Sequence, residues 1–414
     1  MVENQGEALY PEVGLPEFDA VARKTKDNGD ILYVLRPKER PKACMACGSA
    51  SVHVHKATRR NVADLDMLGH RVGLTVEGKS YRCSDCGNLI RMEYPSLHGR
   101  MTARLAEAIQ QDALRHTFSD TARRFHTTTT TVKALFEEYA DERLDGRSLV
   151  APTVLGIDEV HLEDSYRGVF VAVDKSEGRV LEFTEKRTLA SVAETLSSME
   201  SPENLRLVTI DMWRPYRDAV RRVFGDDMPV VIDHFHVVKN LMRALDSVRS
   251  QICKQIKDKD RRALKRNRYL LLRNNEDLTV HQGADLARLL EAFPEFEGVY
   301  LLKEAFRDIY ASASSSGEAK AMFSDWKREC ERAGNGAYDG FVRTVEAWED
   351  EIFAYFDFPD MERTNAQTES LNRSIRTIAR AGRGYSFDVL RKKVLLARYV
   401  YEPEERFSFA DFDD

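Results

Sequence analysis

No apolar run in this sequence approaches the roughly 20 residues that a bilayer-crossing helix requires, so no membrane partner is expected. The opening residues, MVENQGEALYPEVGLPEF, are acidic and lack the apolar core of a secretory leader. The chain is therefore expected in the cytosol, where disulfides are rare, and its 6 cysteines become candidate ligands or core thiols. An excess of charge is also missing. The 62 Lys+Arg and 68 Asp+Glu leave a net charge of −6, which as a bulk property points to no polyanionic partner. A hydrophobic share of 43% and a charged share of 31% exclude a disordered or fibrous chain. The 414 residues suffice for two to four domains with real cores.

The charge that is present is segregated. Residues 249–273 hold ten Lys/Arg against two Asp, residues 363–398 hold nine against two acids, and the tail 402–414 is acidic. Such a distribution suits a protein that meets a polyanion on one side. Residues 1–40 are expected to contain one strand, 31–35, and otherwise read as an arm. Cys44-Met-Ala-Cys47-Gly and Cys83-Ser-Asp-Cys86-Gly follow, separated by a β-like stretch. Two CxxC pairs, each with a glycine that lets the knuckle turn, form the pattern of a zinc ribbon. Four thiolates suit a closed, structural Zn²⁺ site; free buried thiols or a redox pair are the alternatives. Cys253 and Cys330 read as core thiols.

From Met101 the period becomes helical. Residues 102–115, a short helix SDTARRF capped by Ser119, a turn at His126 and a helix beginning at Thr128 or Thr129 give a helix-turn-helix layout. Arg123, Arg124, Thr129 and Lys133 are its candidate DNA-contacting residues, with a plain three-helix bundle as the alternative. Strands are expected at 154–158, 168–174 and 179–185, joined by turns at Asp164-Ser165 and Ser176-Glu177-Gly178. A helix at 189–199, a strand at 205–211, a helix at 215–224 and a strand at 229–233 complete the order β-β-β-α-β-α-β. That order is the α/β ribonuclease H-like fold, a mixed sheet with helices on both faces. Asp158 and Asp211 end apolar strands that neighbour each other in this fold, where two acids repel unless a divalent cation lies between them. A long helix entered through Asp233 and His236 then opens an all-helical insertion running to about Asp360.

After the insertion comes TNAQTESLNRSIRTIAR, residues 364–380. Asn365, Asn372, Arg373 and Arg376 share one helical face with the lone acid Glu369, and Leu371, Ile375 and Ile378 form the inward face. A Glu369–Arg373 salt bridge is the simplest local reading and a metal ligand the functional one. Trp213 reads as core, as do Trp326 and Trp348 in preference to base stacking.

The blocks LGIDEVHL, VTIDMWRPYRDAV, VVIDHFHVVKNL and TESLNRSIRTIARAGRGYSF, in this order behind the ribbon and SDTARRFHTTTTTVKALFEEY, resemble the DDE transposases of the ISL-three family of bacterial insertion sequences. The resemblance spans residues 44–399, and the approach TNAQT is more polar than the usual Gly-containing one. It implies that Asp158, Asp211 and Glu369 are a catalytic triad holding two Mg²⁺ ions, with Asp233 and His236 as an auxiliary D-x-x-H pair. His236 as a helix-start residue satisfied by the backbone is the plainer reading of that position. Asn372, Arg373 and Arg376 then bind phosphates beside the scissile bond. The partners implied are double-stranded DNA, at inverted-repeat ends and at the target, and a second copy of the chain in a homodimer or larger assembly. The location implied is the nucleoid of a bacterial cytoplasm. The competing functions are a zinc-ribbon, helix-turn-helix DNA-binding regulator with an idle nuclease-like domain, and a cellular resolvase or ribonuclease of the same fold. The expected divisions are an arm (1–40), zinc ribbon (41–98), helix-turn-helix (99–148), catalytic domain (149–240), helical insertion (241–360), and completion of the catalytic domain with the tail (361–414).

Overall fold

The computed structural model describes residues 10, 13–163, 165–173, 178–363 and 366–397, in two units formed by 1–145 with 396–414 and by 146–395. The turn residues Asp164, Ser176 and Glu177, together with Asn365 and the acidic tail, lie outside the described residues.

In the first unit β1 (Phe18–Thr25) and β2 (Ile31–Pro37) form a hairpin. β2 runs parallel to β4 (His70–Cys83), which pairs along its length with β3 (Val52–Met67). The short β5 (Leu89–Ile90), β6 (Leu97–His98) and β7 (Met101–Thr102) complete a seven-stranded sheet. The stretch expected as an arm with one strand thus supplies two. Phe18, Ala20, Ile31, Tyr33 and Leu35 alternate along them and bury against Leu74 and Val76, giving the hairpin a core that neither strand has alone.

Three helices follow: α1 (Ala103–Arg115), α2 (Phe118–Arg124) and α3 (Thr129–Leu144). Each begins at a threonine whose side chain accepts a backbone N–H of the first turn: Thr102, Thr117 and Thr128. Thr117 therefore replaces Ser119 as the cap of α2, because burial of Phe118 draws the first turn two residues earlier than the hydroxyl pattern indicated. His126, at φ +51°, makes the tight turn into α3.

Asp64 of β3 fastens this helical part to the sheet. Its buried carboxylate accepts from Thr102 Oγ1 at 2.7 Å and from Arg104 Nε at 2.8 Å. Asp64→Ala will remove both acceptors at once and cost about 2–3 kcal/mol, below the usual figure for a fully buried pair because Arg104 is partly exposed. The loss is expected as faster amide exchange through α1; unchanged exchange there would show that the helices hold to the sheet without it.

In the second unit β8 (Val154–Leu162), β9 (Ser165–Ala172) and β10 (Arg179–Thr184) are antiparallel. β11 (Leu207–Ile210) and β12 (Val230–Ile232) extend the sheet in parallel, in the order β10-β9-β8-β11-β12. α4 (Leu189–Ser197) and α5 (Arg214–Phe224) are the crossovers. The mixed sheet is the one expected of a ribonuclease H-like domain.

Alternation along the strands sorts their side chains between two cores. Leu155, Ile157, Val208, Ile210 and Ile232 join one cluster with α4, α5 and α6 (His234–Gln255). Val154, Val160, Leu207 and Val231 join the other, beneath α14 (Ala366–Gly382) and α15 (Phe387–Leu396). Between α6 and α14 lies the all-helical insertion: α7 (Asp258–Arg266), α8 (Arg268–Leu272), α9 (Val280–Ala292), α10 (Glu295–Ser312), α11 (Ser316–Ala333), α12 (Asp339–Ala347) and α13 (Glu349–Phe353). Its core is continuous with the first cluster and rich in aromatics. Trp326 and Trp348 are buried there, and the Trp326 indole donates to the Leu302 carbonyl at 2.7 Å, so neither faces a ligand.

Candidate functional site

The four ribbon cysteines converge. Their sulfurs all lie within 4.8 Å of one another, with Cys44 and Cys86, and Cys47 and Cys83, each 3.6 Å apart. That is too long for a disulfide and close to the roughly 3.8 Å edge of a tetrahedron with 2.3 Å Zn–S bonds. The knuckle amides explain the glycines: Gly48 and Gly87 sit at φ +74° and +73° while the chain folds back over the sulfurs. Backbone N–H groups of Cys86 and Asp85 hold the Cys83 thiol down to about 7, and those of Cys47 and Ala46 lower Cys44. At Cys47, against the Ser49 N–H, the neighbouring thiols push the pKa up to about 12, and Cys86 is raised too. The four crowded sulfurs thus ionise together only with a cation among them. The donor set fits zinc.

The helix-turn-helix residues are on the surface but not all free. Arg123 pairs with Asp120, Arg124 with Asp112 at 2.6 Å, and Lys133 with Glu137 at 3.6 Å. Thr129 is exposed in the first turn of α3. Arg124 also touches His116, so it braces α2 against α1.

The second unit assembles the acidic site. Asp158 sits in the middle of β8, not at its end as its apolar run indicated, because antiparallel pairing with β9 continues to Leu162. Parallel pairing with β11 does stop at Ile157↔Ile210, so Asp158 and Asp211 emerge side by side where that ladder ends. Both fall on the α14 side of the alternation, as does Asp233 after β12. Glu369, in the first turn of α14, lines the same cavity of about 400 Å³ as Asp158 and Asp211. Arg373, Arg376 and His236 line it too. Among the described residues only the four thiols draw together within 4.8 Å as a set, so the three carboxylates share the cavity without all three closing to that distance. No ion pair joins Glu369 to Arg373 among the described residues, and the simple salt-bridge reading fails.

Leu371, Ile375 and Ile378 pack inward as their spacing indicated. Asn372 differs from expectation. It is 3% exposed, and its amide donates to Asp158 Oδ2 at 2.8 Å and to the Glu159 carbonyl at 3.3 Å. It orients a carboxylate and is not available to a phosphate. Burial pushes both Asp158 and Asp211 up to about 6. His236 opposes the rise at Asp158 while Asp233 and Glu369 add to it; at Asp211 the neighbouring Asp158 adds to it and His236 opposes it. Asp211 Oδ1 is buried and has no hydrogen-bond partner among the described residues. A buried orphan oxygen beside other carboxylates is a donor set for a hard divalent cation. Asp233 is committed to the fold, capping α6 by accepting from Phe235 N at 3.0 Å.

Several lining groups were not singled out in the sequence. Lys239, Asn240 and Arg243 follow His236 at +3, +4 and +7 on α6, a spacing that the sequence displays. Arg187, which stands behind the cavity wall against Glu159 and Tyr166, could not be found that way. It pairs with Glu159 and lies between the rings of Tyr166 and Trp213, 4.1 and 4.2 Å from their centroids. Trp213, expected in the core, is 37% exposed as part of this stack, because it precedes α5 at the rim of the sheet.

Comparison with known proteins agrees along the chain. A family model described as "Transposase" matches residues 155–394. One described as "zinc-finger of transposase IS204/IS1001/IS1096/IS1165" matches residues 40–86, and one described as "Helix-turn-helix domain of transposase family ISL3" matches residues 98–140. The chain is 27% identical over 368 residues to the transposase for insertion sequence element IS1001 of Bordetella parapertussis, covering 87% of this chain and 89% of that one. It is 28% identical over 203 residues to the transposase for insertion sequence element IS1557 of Mycobacterium tuberculosis, covering 42% of this chain and 45% of that one.

Proposed function

The chain belongs to the transposase family ISL3, and from that premise we propose that it cleaves the inverted-repeat ends of an insertion sequence and joins them to target DNA at a site made by Asp158, Asp211 and Glu369. One observation supports this above the rest: carboxylates from β8, from the end of β11 and from α14, far apart in sequence, line a single cavity that Lys239, Arg243, Arg373 and Arg376 line as well. Asp158, Asp211 and Glu369 are the residues that would hold divalent ions, Mg²⁺ by the hardness of the oxygen donors. When bound, two such ions supply Lewis-acid activation of the nucleophile and stabilisation of the leaving oxygen.

The protein's own groups do the rest. Arg373 and Arg376 meet no carboxylate in an ion pair among the described residues, so their guanidinium groups are available to phosphate oxygens. Lys239 and Arg243 on α6 face the same cavity and set a positive field for the incoming strand. Asn372 fixes the rotamer of Asp158, and His236 moderates the charge of both aspartates. In the first step water attacks a phosphorus at the element end, the P–O3′ bond breaks, and a free 3′-hydroxyl leaves. In the second step that hydroxyl attacks a target phosphodiester, one P–O bond forming as another breaks, so no external energy source is needed. Two ends must meet for this chemistry, which makes a homodimer the smallest working assembly. Bacterial nucleoid DNA is the substrate in the cell.

The test is incubation of the purified protein with duplex bearing the element's end and Mg²⁺ or Mn²⁺. The expected products are a nick with a 3′-hydroxyl and then a joined strand. Specific binding with no cleavage in either metal would refute the proposal and leave a DNA-binding regulator.

A further inference from the structure

We infer that the outer edge of β3 is a second DNA-contacting surface, which grips the phosphate backbone of the same duplex that α3 enters. A strand in a sheet ordinarily buries alternate residues. β3 does so only near its end, at Val62 and Asp64; residues 53–61 are exposed without a break, on both faces. Among the described residues its outer edge is also open: residues 52–62 pair only with β4, and β7 touches β3 at Ala63 alone. Such an edge needs either a partner or protection.

The exposed stretch is VHVHKATRRN, which has no acid, and its cations Lys56, Arg59 and Arg60 form no ion pair among the described residues. Glu77, the cross-strand partner of Arg59, is turned to Arg36 of β2 at 3.5 Å. Three unneutralised cations on a rigid, fully solvated strand fit a polyanion.

The position of the strand names which polyanion. The far end of the β3–β4 hairpin is fastened to the turn before α3: His126 Nε2 lies 3.5 Å from Asp66 Oδ2, and Arg71 Nη2 lies 3.0 Å from His126 Nδ1. Counting back from Asp66 at about 3.3 Å per residue, Arg60 stands roughly 20 Å and Lys56 roughly 33 Å along the strand. One turn of B-DNA is about 34 Å. A duplex that receives α3 in one major groove and runs beside β3 therefore offers these cations phosphates from little more than half a turn away, at Arg60, to about one turn away, at Lys56. The ribbon acts as an arm of fixed length, and its zinc site keeps the opposite end, at Val52 and Cys83, folded.

This inference rests on DNA as the partner and not on the cleavage chemistry, so its test reads binding alone. The full-length, zinc-loaded protein and the triple variant Lys56→Gln, Arg59→Gln, Arg60→Gln are titrated onto a mixed-sequence duplex of about 40 bp, near four helical turns, between roughly 50 and 200 mM KCl. The slope of log K against log[KCl] is expected to fall by about 2–3, since each phosphate contact contributes about 0.9, with at least a ~10-fold loss of affinity at the low-salt end. A charge-keeping variant, Arg59→Lys with Arg60→Lys, is expected to retain the slope. An unchanged slope in the triple variant at full zinc content would overturn the inference. So would a triple variant that self-associates while its monomer binds as the parent does, because the cations would then only guard the edge. A slope lost equally in the charge-keeping variant would assign the effect to damage of the strand and overturn it too. None of these results bears on whether the protein cleaves.

Discussion

Full-length protein carrying Asp211→Asn will lose divalent-dependent strand cleavage by roughly 10³-fold or more, the scale of the several kcal/mol that metal assistance supplies, and will still bind DNA. The reason lies in the buried Oδ1 of Asp211, which has no hydrogen-bond partner among the described residues. An amide keeps the shape but loses the charge and one hard oxygen donor. The same substitution is expected to stabilise the metal-free protein. Asp211 has a folded pKa of about 6 against 3.8 for the free side chain, chiefly through burial and then through Asp158. The protonated form is the one folding favours, so the contribution of this residue is most favourable below about 3.8 and is lost as pH rises through about 6. At pH above 7 the charged group costs up to about 3 kcal/mol, an upper bound given its coupling to Asp158. In the presence of chelator, Asp211→Asn should melt several degrees higher than the parent at pH 7.5 and about equally near pH 4. Lower melting together with lost cleavage would mean a damaged fold and would remove the inference about chemistry. Glu369→Gln is expected to be equally inactive, and full activity in that variant would exclude Glu369 from the site.

The second large effect is removal of zinc. Cys44, Tyr81, Cys83 and Ile90 are the whole buried core of the knuckle region, too little to fold unaided. Structural zinc contributes on the order of 10 kcal/mol in small modules, so the ion is expected to be the main support of the two knuckles, residues 44–52 and 81–90, while Val62, Val72, Leu74 and Val76 rest on the core of the sheet. Chelation, or Cys47→Ser, should release about one zinc per chain, abolish amide protection around both knuckles, and weaken DNA binding more than ~10-fold. Cleavage of a pre-bound or saturating DNA substrate should persist, because the acidic cavity lies in the other unit. Persistent amide protection after complete zinc removal would contradict the structural role. Loss of cleavage at saturation would contradict the separation of recognition from chemistry.

How far the site was legible depends on the range of each interaction. Spacing within one element is local, and it placed the cysteine pairs, the inward face of α14 and the Asp-to-His236 entry to α6. The bounds of β8 were not local. Asp158 looked like a strand end because the apolar run stops there, yet β9 carries the pairing four residues on. Trp213 was misplaced for the same kind of reason: an indole reads as core until the stacked guanidinium of Arg187 is seen to hold it at the rim. Glu369 is the instructive case. Within its own helix it pairs most simply with Arg373; the structure leaves that pair unmade and turns both residues to a cavity they share with Asp158 and Asp211.

By itself the sequence determined the order of the modules and the four cysteines that cluster, and it nominated the acids, because these depend on residue type, short spacing and strand period. Only the tertiary structure decided that Asn372 serves Asp158 across 214 positions, that Arg187 is held by Glu159 across 28, and that nine successive residues of β3 stand exposed. The physical reason is common to all three. A side chain's partner, or its lack of one, is fixed by which elements pack together, and local periodicity says which face a residue takes but not what that face meets. The two acids on neighbouring parallel strands were foreseeable from the fold; the amide that steadies one of them, and the edge that awaits DNA, were not.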